Sequence, residues 1–455
     1  MKPAVALVGR PNVGKSTLFN RLTRSRAALV GDEPGVTRDR KYGNGRIGDR
    51  PYIVIDTGGI ESLEGKQRIG NMSASVADQT AQAVAEADTV ILLVDGRVGI
   101  NTADRDIAVG LRRVGKRVMV AVNKSEGRDP SVVTAEASEL GLGVACAISA
   151  AHNQGIDEMM EDVLAGLPLT VEDAPSPDVP VIAVVGRPNV GKSTLVNAIL
   201  GEERVIVSPE AGTTRDTIDI PFEREDRTYI LIDTAGVRRR GRVETGIERF
   251  SVVKTMQSID HANVVLLVVD VEEGVAAQDA TLAGYILEQG RAMVVILNKW
   301  DTVASEERNE KMREVERVLG FVAFARVHQV SARRQTGIGG IFDSVDEAFG
   351  SANRDLATPK LTQVLHEAVT ATPPAMVGGH RPRLKYAHQG GKNPPRIIIH
   401  GNRVTKLREP YRRYLSNAFL RALRLRGTPL RIEFREGANP YATSSRKRKK
   451  SKKKR

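Results

Sequence analysis

Two segments of this chain have the residue types and spacing that bind nucleotide phosphates. Residues 9–17 and 186–194 both read Gly-Arg-Pro-Asn-Val-Gly-Lys-Ser-Thr, at an offset of 177 positions. The glycines let backbone N–H groups turn toward phosphate oxygens, the lysine brings a charge to the β- and γ-phosphates, and the serine hydroxyl can ligate Mg²⁺. A chance glycine turn is the alternative, and the repetition argues against it. The predicted phosphate-binding residues are Gly9, Arg10, Pro11, Asn12, Val13, Gly14, Lys15, Ser16 and Thr17, and Gly186, Arg187, Pro188, Asn189, Val190, Gly191, Lys192, Ser193 and Thr194.

Each segment has the flanks that a phosphate-binding loop requires. Apolar runs at 4–8 and 181–185 precede the two loops and predict buried parallel strands. Apolar residues at helical spacing follow each lysine, so a helix should begin there and direct the positive end of its dipole at the phosphates.

Further motifs recur in the same order, which indicates a duplicated domain of about 170 residues. Residues 33–39, 53–59 and 90–95 resemble residues 210–216, 230–236 and 265–270, at offsets of 177, 177 and 175. Within each copy, strand-like runs alternate with amphipathic stretches, which predicts an α/β fold with a mostly parallel, doubly wound sheet. Because every motif follows an apolar run, the motifs should meet at the carboxyl edge of each sheet.

The repeats divide the chain into five predicted parts. They are a first nucleotide-binding domain at 1–167, a proline- and acid-rich linker at 168–179, a second nucleotide-binding domain at 180–354, a small α+β domain of order α-β-β-α-β at 355–440, and a basic disordered tail at 441–455.

The base is indicated by a carboxylate motif in each copy. In Asn298-Lys-Trp-Asp301 the aspartate can accept two hydrogen bonds from guanine, a donor pair that adenine lacks. An ordinary surface turn is the alternative, and the order of the motifs argues against it. The first copy has Glu126 in place of aspartate, and we expect it to bind guanine with altered affinity. The predicted base-binding residues are Asn123, Lys124, Glu126, Ser149, Ala150, Asn298, Lys299, Trp300, Asp301, Ser331 and Ala332.

The catalytic roles follow the pattern of phosphoryl transfer. Lys15 and Lys192 neutralise the phosphates, and mobile loops carry Thr37 and Thr214 to the γ-phosphate and the metal, so that loss of this phosphate should release them. The predicted Mg²⁺ ligands are Ser16, Thr37, Asp56, Ser193, Thr214 and Asp233. Gly59 and Gly236 should donate N–H groups to the γ-phosphate, within the nucleotide-binding stretches Asp56, Thr57, Gly58, Gly59, Ile60 and Asp233, Thr234, Ala235, Gly236, Val237.

Two positions leave alternatives open. Ile60 and Val237 stand where Ras-like enzymes use a glutamine to orient water. Either the two units only bind nucleotide, or another group positions the water. Asn12 and Asn189 could help to hold a monovalent cation beside the phosphates, or they could be turn residues that stabilise the loop.

Composition and charge limit the remaining possibilities. The single cysteine, Cys146, excludes a disulfide framework and is expected in the core. No apolar run approaches the ~20 residues of a membrane span, so the chain is expected in the cytoplasm without a membrane partner. The net charge is +13, but residues 355–455 hold 25 Lys/Arg against 5 Asp/Glu, a net of +20 that leaves −7 for the rest. Such asymmetry indicates a polyanionic partner for the basic part.

The combined pattern resembles the Der (EngA) family of bacterial tandem GTPases. The resemblance rests on the two repeats followed by 386–395, Tyr-Ala-His-Gln-Gly-Gly-Lys-Asn-Pro-Pro, and 427–434, Gly-Thr-Pro-Leu-Arg-Ile-Glu-Phe. It implies a KH-like C-terminal domain, slow hydrolysis of GTP to GDP, and a task in assembly of the large (50S) ribosomal subunit. It also implies K⁺ assistance through Asn12 and Asn189. We expect a monomer.

The site of RNA contact is a hypothesis of its own. Ordinary KH domains clamp nucleic acid with a Gly-x-x-Gly loop, and none is found between the expected helices. Contact with rRNA is therefore assigned to the tail and to a basic surface, against the alternatives of a solvated helix face or a contact with the acidic GTPase domains. The candidates are Arg408, Arg412, Arg413, Arg421, Arg424 and Arg426. A scaffold that only senses GTP is a competing function, and an ATP-driven RNA remodeller is disfavoured by Asp301.

Overall fold

The structure, a computed structural model, describes residues 1–23, 29–31, 40–57, 80–167, 178–201, 205–207, 219–232, 251–376 and 379–436. These residues fall into two compact units. The first unit holds the first repeat and one helix of the second, Val252–His261, whose Asp260 forms an ion pair with Lys2 at 3.0 Å. The second unit holds the rest of the second repeat together with the C-terminal α+β region.

In the first repeat the elements, in chain order, are β1 (Ala4–Val8), α1 (Lys15–Leu22), β2 (Leu29–Gly31), β3 (Arg40–Ile47), β4 (Arg50–Asp56), β5 (Thr89–Asp95), α2 (Thr102–Val114), β6 (Arg117–Asn123), α3 (Pro130–Ser138), β7 (Ala145–Ala147) and α4 (Ile156–Leu164). The sheet order is β2-β3-β4-β1-β5-β6-β7. Strands β2, β3 and β4 pair antiparallel, and the pairings from β4 through β1 to β7 are parallel.

The elements of the second repeat are β8 (Val181–Val185), α5 (Lys192–Leu200), β9 (Val205–Val207), β10 (Ile220–Arg224), β11 (Arg227–Ile232), α6 (Val252–His261), β12 (Val264–Asp270), α7 (Ala277–Gln289), β13 (Ala292–Asn298), α8 (Arg308–Leu319), β14 (Arg326–Gln329) and α9 (Gly339–Asn353). Its sheet order, β9-β10-β11-β8-β12-β13-β14, repeats the first. Short 3-10 turns lie at Trp300–Thr302 and Gly320–Val322. The predicted α/β fold with mostly parallel sheets is confirmed.

Burial on both faces explains why the central strands are continuously apolar. Every residue of β5 and of β12 is buried, as expected for parallel strands covered by helices on both sides. The carboxyl end of each central strand is polar, with Asp95 and Asp270 at the edge where the loops lie. Cys146, expected in the core, is half-buried on β7 and packs against the hydrophobic core of the first repeat.

The C-terminal region forms the predicted α-β-β-α-β arrangement. Its elements are α10 (Thr358–Ala371), β15 (Arg383–Gly391), β16 (Arg396–Asn402), a 3-10 turn (Val404–Lys406), α11 (Glu409–Leu423) and β17 (Arg431–Glu436). Strand β16 pairs antiparallel with β15 and parallel with β17. Both helices contribute to one hydrophobic core, in which Leu365, Ile399 and Phe419 are fully buried.

Backbone hydrogen bonds join this region to the second nucleotide-binding sheet. The Met293 N–H on β13 donates to the Gly427 carbonyl at 2.7 Å, and the Gly427 N–H donates to the Phe324 carbonyl at 2.8 Å. A Cβ on Gly427, whose φ is 69°, would lie 2.4 Å from the Cβ of Ala348. Only glycine permits so close an approach. Among the described helices, none combines the length and apolarity needed to cross a membrane.

Candidate nucleotide-binding sites

The first glycine of each loop lies against the neighbouring central strand. Gly9 has φ 153° and Gly186 has φ 156°, and a Cβ on these residues would approach the carbonyl oxygens of Leu93 and Val268 to 2.5 and 2.3 Å. No side chain larger than hydrogen fits there without moving the strand. The chain therefore turns tightly off β1 and β8 and opens the loop above the sheet edge.

The last glycine of each loop begins the helix that follows. Gly14 and Gly191 have φ values of 98° and 93° and provide no side chain to cap α1 and α5. A Cβ would lie 2.3 and 2.2 Å from the amide nitrogens of Asn123 and Asn298. The first N–H groups of each helix have no intrahelical acceptor, so they are suited to an anion.

The loop lysines fold back over their own loops. Lys15 is 7% exposed, and its Nζ donates to two loop carbonyl oxygens, both at 2.8 Å. Lys192 makes the corresponding bonds at 3.1 and 2.7 Å. The ammonium group of each site is thereby held at the loop.

A buried asparagine ties each loop to the base-binding motifs. The Asn123 side chain donates to the Val13 carbonyl at 2.7 Å and accepts from the Ala150 N–H at 2.9 Å. The corresponding bonds of Asn298 are 2.8 and 3.0 Å. Both asparagines are 3% exposed. The asparagine thus connects the phosphate-binding loop to the Ser-Ala segment that is predicted to bind the base.

The motif lysines connect the same parts. Lys124 donates to the Asn12 carbonyl and pairs with Asp95, both at 2.7 Å, while Lys299 forms an ion pair with Asp270. Both lysines have φ 62°, a left-handed conformation that a local hydrogen-bond network must hold. Asn12 and Asn189 are left-handed too, with φ of 64° and 63°, as turn residues in such loops are.

The two candidate guanine acceptors have different arginine partners. Glu126 pairs with Arg97, whereas Asp301 pairs with Arg334 at 3.1 Å. The pKa of Glu126 is lowered to about 2, and the largest cause is a hydrogen bond from the backbone N–H of Glu126 itself. A hydrogen bond from the Ser331 hydroxyl is the largest cause of the lowered pKa of Asp301. Both groups are therefore carboxylates near neutral pH, the form that accepts two hydrogen bonds.

The first site brings together oxygen atoms suited to Mg²⁺. The Ser16 hydroxyl donates to Asp56 at 3.1 Å, and Asp56 is 1% exposed at the end of β4. Thr57 is anchored beside it by a 2.7 Å hydrogen bond to a carbonyl of β1. A hydroxyl and a carboxylate are the hard ligands that Mg²⁺ prefers, so this pair fits the ion. Ser193 occupies the matching position at the start of α5.

Sequence reasoning missed the partner of the loop arginine. Arg10 Nε contacts the buried Asp104 at 3.2 Å, and Arg187 Nε contacts the buried Asp279 at 3.0 Å. Each aspartate also accepts from the backbone N–H that precedes its helix. The pairs recur at the offsets of the other motifs, 177 for the arginines and 175 for the aspartates, so the duplication could have revealed them.

Some predicted residues lie outside the described part of the chain. They are Thr37, Gly58, Gly59, Ile60, Thr214, Asp233, Thr234, Ala235, Gly236 and Val237, together with most of the linker and the whole tail. The described structure gathers the rest of each site, from loop to base-binding motif, at the carboxyl edges of the two sheets. Cys146 is not part of a site, and burial raises the pKa of its thiol to about 12.

The candidate RNA-binding arginines are not equivalent. Arg426 forms an ion pair with Glu347 of helix α9 at 3.3 Å, and Arg412 is half-buried with its guanidinium 4.9 Å from the Phe434 ring centroid. Arg426 thus contacts the second GTPase domain, as one of the alternatives expected, whereas the contact of Arg412 lies within the C-terminal domain. Arg413 also forms an ion pair, with Glu409 at 3.7 Å. The remaining exposed candidates are Arg408, Arg413, Arg421 and Arg424.

Comparison with known proteins identifies the family. A family model described as "50S ribosome-binding GTPase" matches residues 4–124 and 181–299, and one described as "KH-domain-like of EngA bacterial GTPase enzymes, C-terminal" matches residues 356–435. GTPase Der of Cupriavidus pinatubonensis is 56% identical over 98% of this chain and 100% of that protein. GTPase Der of Nitrosospira multiformis is 55% identical over 98% of this chain and 95% of that protein. The chain therefore belongs to the GTPase Der family of GTP-binding switch enzymes, with two GTPase domains and a KH-like C-terminal domain.

Proposed function

We propose that this GTPase hydrolyses GTP slowly to GDP and phosphate, and that it acts as a nucleotide-controlled switch in assembly of the large (50S) ribosomal subunit. One observation carries the proposal: a backbone hydrogen bond at Gly427 joins the KH-like domain to strand β13 of the second nucleotide-binding sheet. A basic domain that contacts rRNA is in this way physically continuous with a GTP site. The description of the family model, a 50S ribosome-binding GTPase, supports the same partner.

The chemistry is assigned to groups that the loops hold in place. The loop N–H groups and the lysine bind the β- and γ-phosphates, and Glu126 or Asp301 accepts from guanine. Ser16 and Asp56 in the first site, and Ser193 and Asp233 in the second, would hold Mg²⁺, which neutralises charge that develops on the phosphates. Thr37 and Thr214 complete this set, and Gly59 and Gly236 donate to the γ-phosphate.

A monovalent cation is the proposed substitute for the missing glutamine. Ile60 and Val237 carry no group that can orient water, so a K⁺ ion held with the help of Asn12 and Asn189 would add positive charge beside the phosphates. Single-turnover hydrolysis in K⁺ and in Na⁺ tests this role. Equal hydrolysis rates in K⁺ and Na⁺ would refute a role of the cation in hydrolysis. No hydrolysis in either salt would favour a scaffold that only senses GTP.

The proposal extends to organisation and location. We place the domains at 1–167, 180–354 and 355–440, with the linker at 168–179 and the basic tail at 441–455. The protein acts as a cytoplasmic monomer whose exposed C-terminal arginines meet rRNA.

Co-sedimentation with purified 50S subunits tests the switch. Wild type is compared in GDP, GTP and a non-hydrolysable analogue with Lys15→Ala and Lys192→Ala, and Lys311→Ala serves as a lysine control outside both sites. We expect nucleotide-dependent association in wild type and in the control, and loss of that dependence in at least one loop variant. Association that ignores the nucleotide in wild type would refute the switch.

A further inference from the structure

Three aromatic rings lie side by side on the KH-like sheet. Tyr386 and His388 on β15 and His400 on β16 have nearly parallel planes. The centroids of Tyr386 and His400 are 4.6 Å apart at an interplanar angle of 7°, and those of His388 and His400 are 5.1 Å apart at 22°. We call these three residues the ring stack. Aromatic pairs at such separations attract one another when their rings are stacked with an offset.

The ring stack faces away from the hydrophobic core. Strand alternation places Ala387 and Ile399, which pair across the two strands, on the face covered by α10 and α11, and both are 0% exposed. Tyr386 and His400, which also pair, therefore point to the opposite face. Tyr386 is 44% exposed, so part of its side chain is open to solvent.

Positive charge borders the ring stack. Arg435 on β17 is in register with His400, and Glu433 on the same strand contacts both Arg435 and Arg396 at 3.2 Å. Two arginines thus share one carboxylate and leave a net positive charge. Residues 379–436 contain 15 Lys/Arg against 3 Asp/Glu, which makes a polyanion the complementary partner.

We propose that the ring stack is a platform on which unpaired RNA bases stack, with Arg435 and Arg396 neutralising the adjacent phosphates. Rings that continue an existing stack bind any base through its π-face, and flanking arginines provide the charge that single strands require. The platform deepens the proposed function, on which it rests, by assigning single-stranded RNA to a defined face. It lies on the side of the sheet opposite to α11 and its candidate arginines.

The test uses the full-length protein and a ten-nucleotide RNA that carries 2-aminopurine, whose fluorescence is quenched when the base stacks. A duplex of the same length serves as the comparison. Tyr386→Ala should weaken binding of the single strand by about tenfold and abolish the added quenching, because stacking of one base contributes on that order. Tyr386→Trp should retain both. Phe321→Ala, which removes a phenylalanine that is 49% exposed on the second GTPase domain, is the matched control and should change neither.

Several results would overturn the platform. They are unchanged single-strand binding in Tyr386→Ala, an equal loss for single strand and duplex, or an equal loss in Phe321→Ala. If Tyr386→Ala fails to fold, His388→Ala and Arg435→Gln replace it, and Arg435→Gln should lower the salt dependence of binding by about one charge. If wild type still associates with 50S subunits in a nucleotide-dependent way while the RNA-binding results contradict the platform, the proposed function stands and only the platform is refuted. If wild type shows neither nucleotide-dependent 50S association nor binding of single-stranded RNA, both proposals are refuted.

Discussion

Replacement of Asn298 by alanine should weaken nucleotide binding at the second site. The Asn298 side chain donates to the Val190 carbonyl at 2.8 Å and accepts from the Ala332 N–H at 3.0 Å, at 3% exposure. Removing it leaves two buried backbone groups without their partner, at about 1–3 kcal/mol each. The loop and the base-binding segment are then no longer held in register.

The chain offers a matched control for this change. Asn263 is also 3% exposed and also bridges two backbone groups, accepting from the Val181 N–H at 2.8 Å and donating to the Val179 carbonyl at 3.1 Å. It does so at the start of β8, at the opposite end of the strand from the phosphate loop. Asn263→Ala should therefore lower the free energy of unfolding by a similar amount without a specific effect on nucleotide binding.

The assay is titration with fluorescent GDP in a Lys15→Ala background, which isolates the second site, combined with urea unfolding. At the lower bound of about 2 kcal/mol for two lost bonds, we expect about a thirtyfold weaker affinity in Asn298→Ala. Asn263→Ala should stay within about threefold of its parent. The reasoning is refuted if the two variants lose affinity equally, or if Asn298→Ala binds GDP as the parent does.

Three further predictions concern the glycines and the carboxylates. Gly14→Ala and Gly191→Ala should each abolish fluorescent-GDP binding at their own site, because the new Cβ would lie 2.3 or 2.2 Å from an amide nitrogen, whereas Gly284→Ala, which meets nothing within 4 Å, should bind normally. Glu126→Gln should weaken GDP binding at the first site by tenfold or more and reduce its preference over ADP in competition titrations, since one acceptor oxygen becomes a donor. A carboxyl group is ionised at every pH well above its pKa, and the pKa is about 2 for Glu126 and below the usual range for Asp301. Protonation of either group should therefore not lower the GDP affinity measured between pH 8 and pH 5. A tenfold fall that Glu126→Gln removes would contradict this assignment.

The duplicated motifs were predictable because their residues do one chemical task at fixed spacing. The strand–loop–helix context, the α/β class and the α-β-β-α-β order of the C-terminal domain follow from apolar periodicity. Buried polar partners were harder to predict, because a hydrogen bond between Arg10 and Asp104 joins residues far apart in the chain. The different arginine partners of Glu126 and Asp301 could not be predicted from the sequence for the same reason, because each arginine is distant in the chain from its carboxylate.

The ring stack shows another limit of sequence reasoning. Tyr386 and His388 alternate along one strand, but only the pairing register with β16 brings His400 beside them. Register between strands depends on the fold of the whole domain, whereas alternation can be read from one segment. The inward-facing residues of the same strands were more easily anticipated, because an apolar pattern reports burial directly.

The junction at Gly427 has a mechanical consequence. Strand β13 carries Asn298 at its carboxyl end and Met293 near its start, and the latter donates to the Gly427 carbonyl. One strand thus spans the distance from the guanine pocket to the C-terminal domain. Because Met293 and Asn298 lie on the same strand, a displacement of β13 on nucleotide binding would be transmitted through the Met293–Gly427 hydrogen bond and would move the C-terminal domain as well.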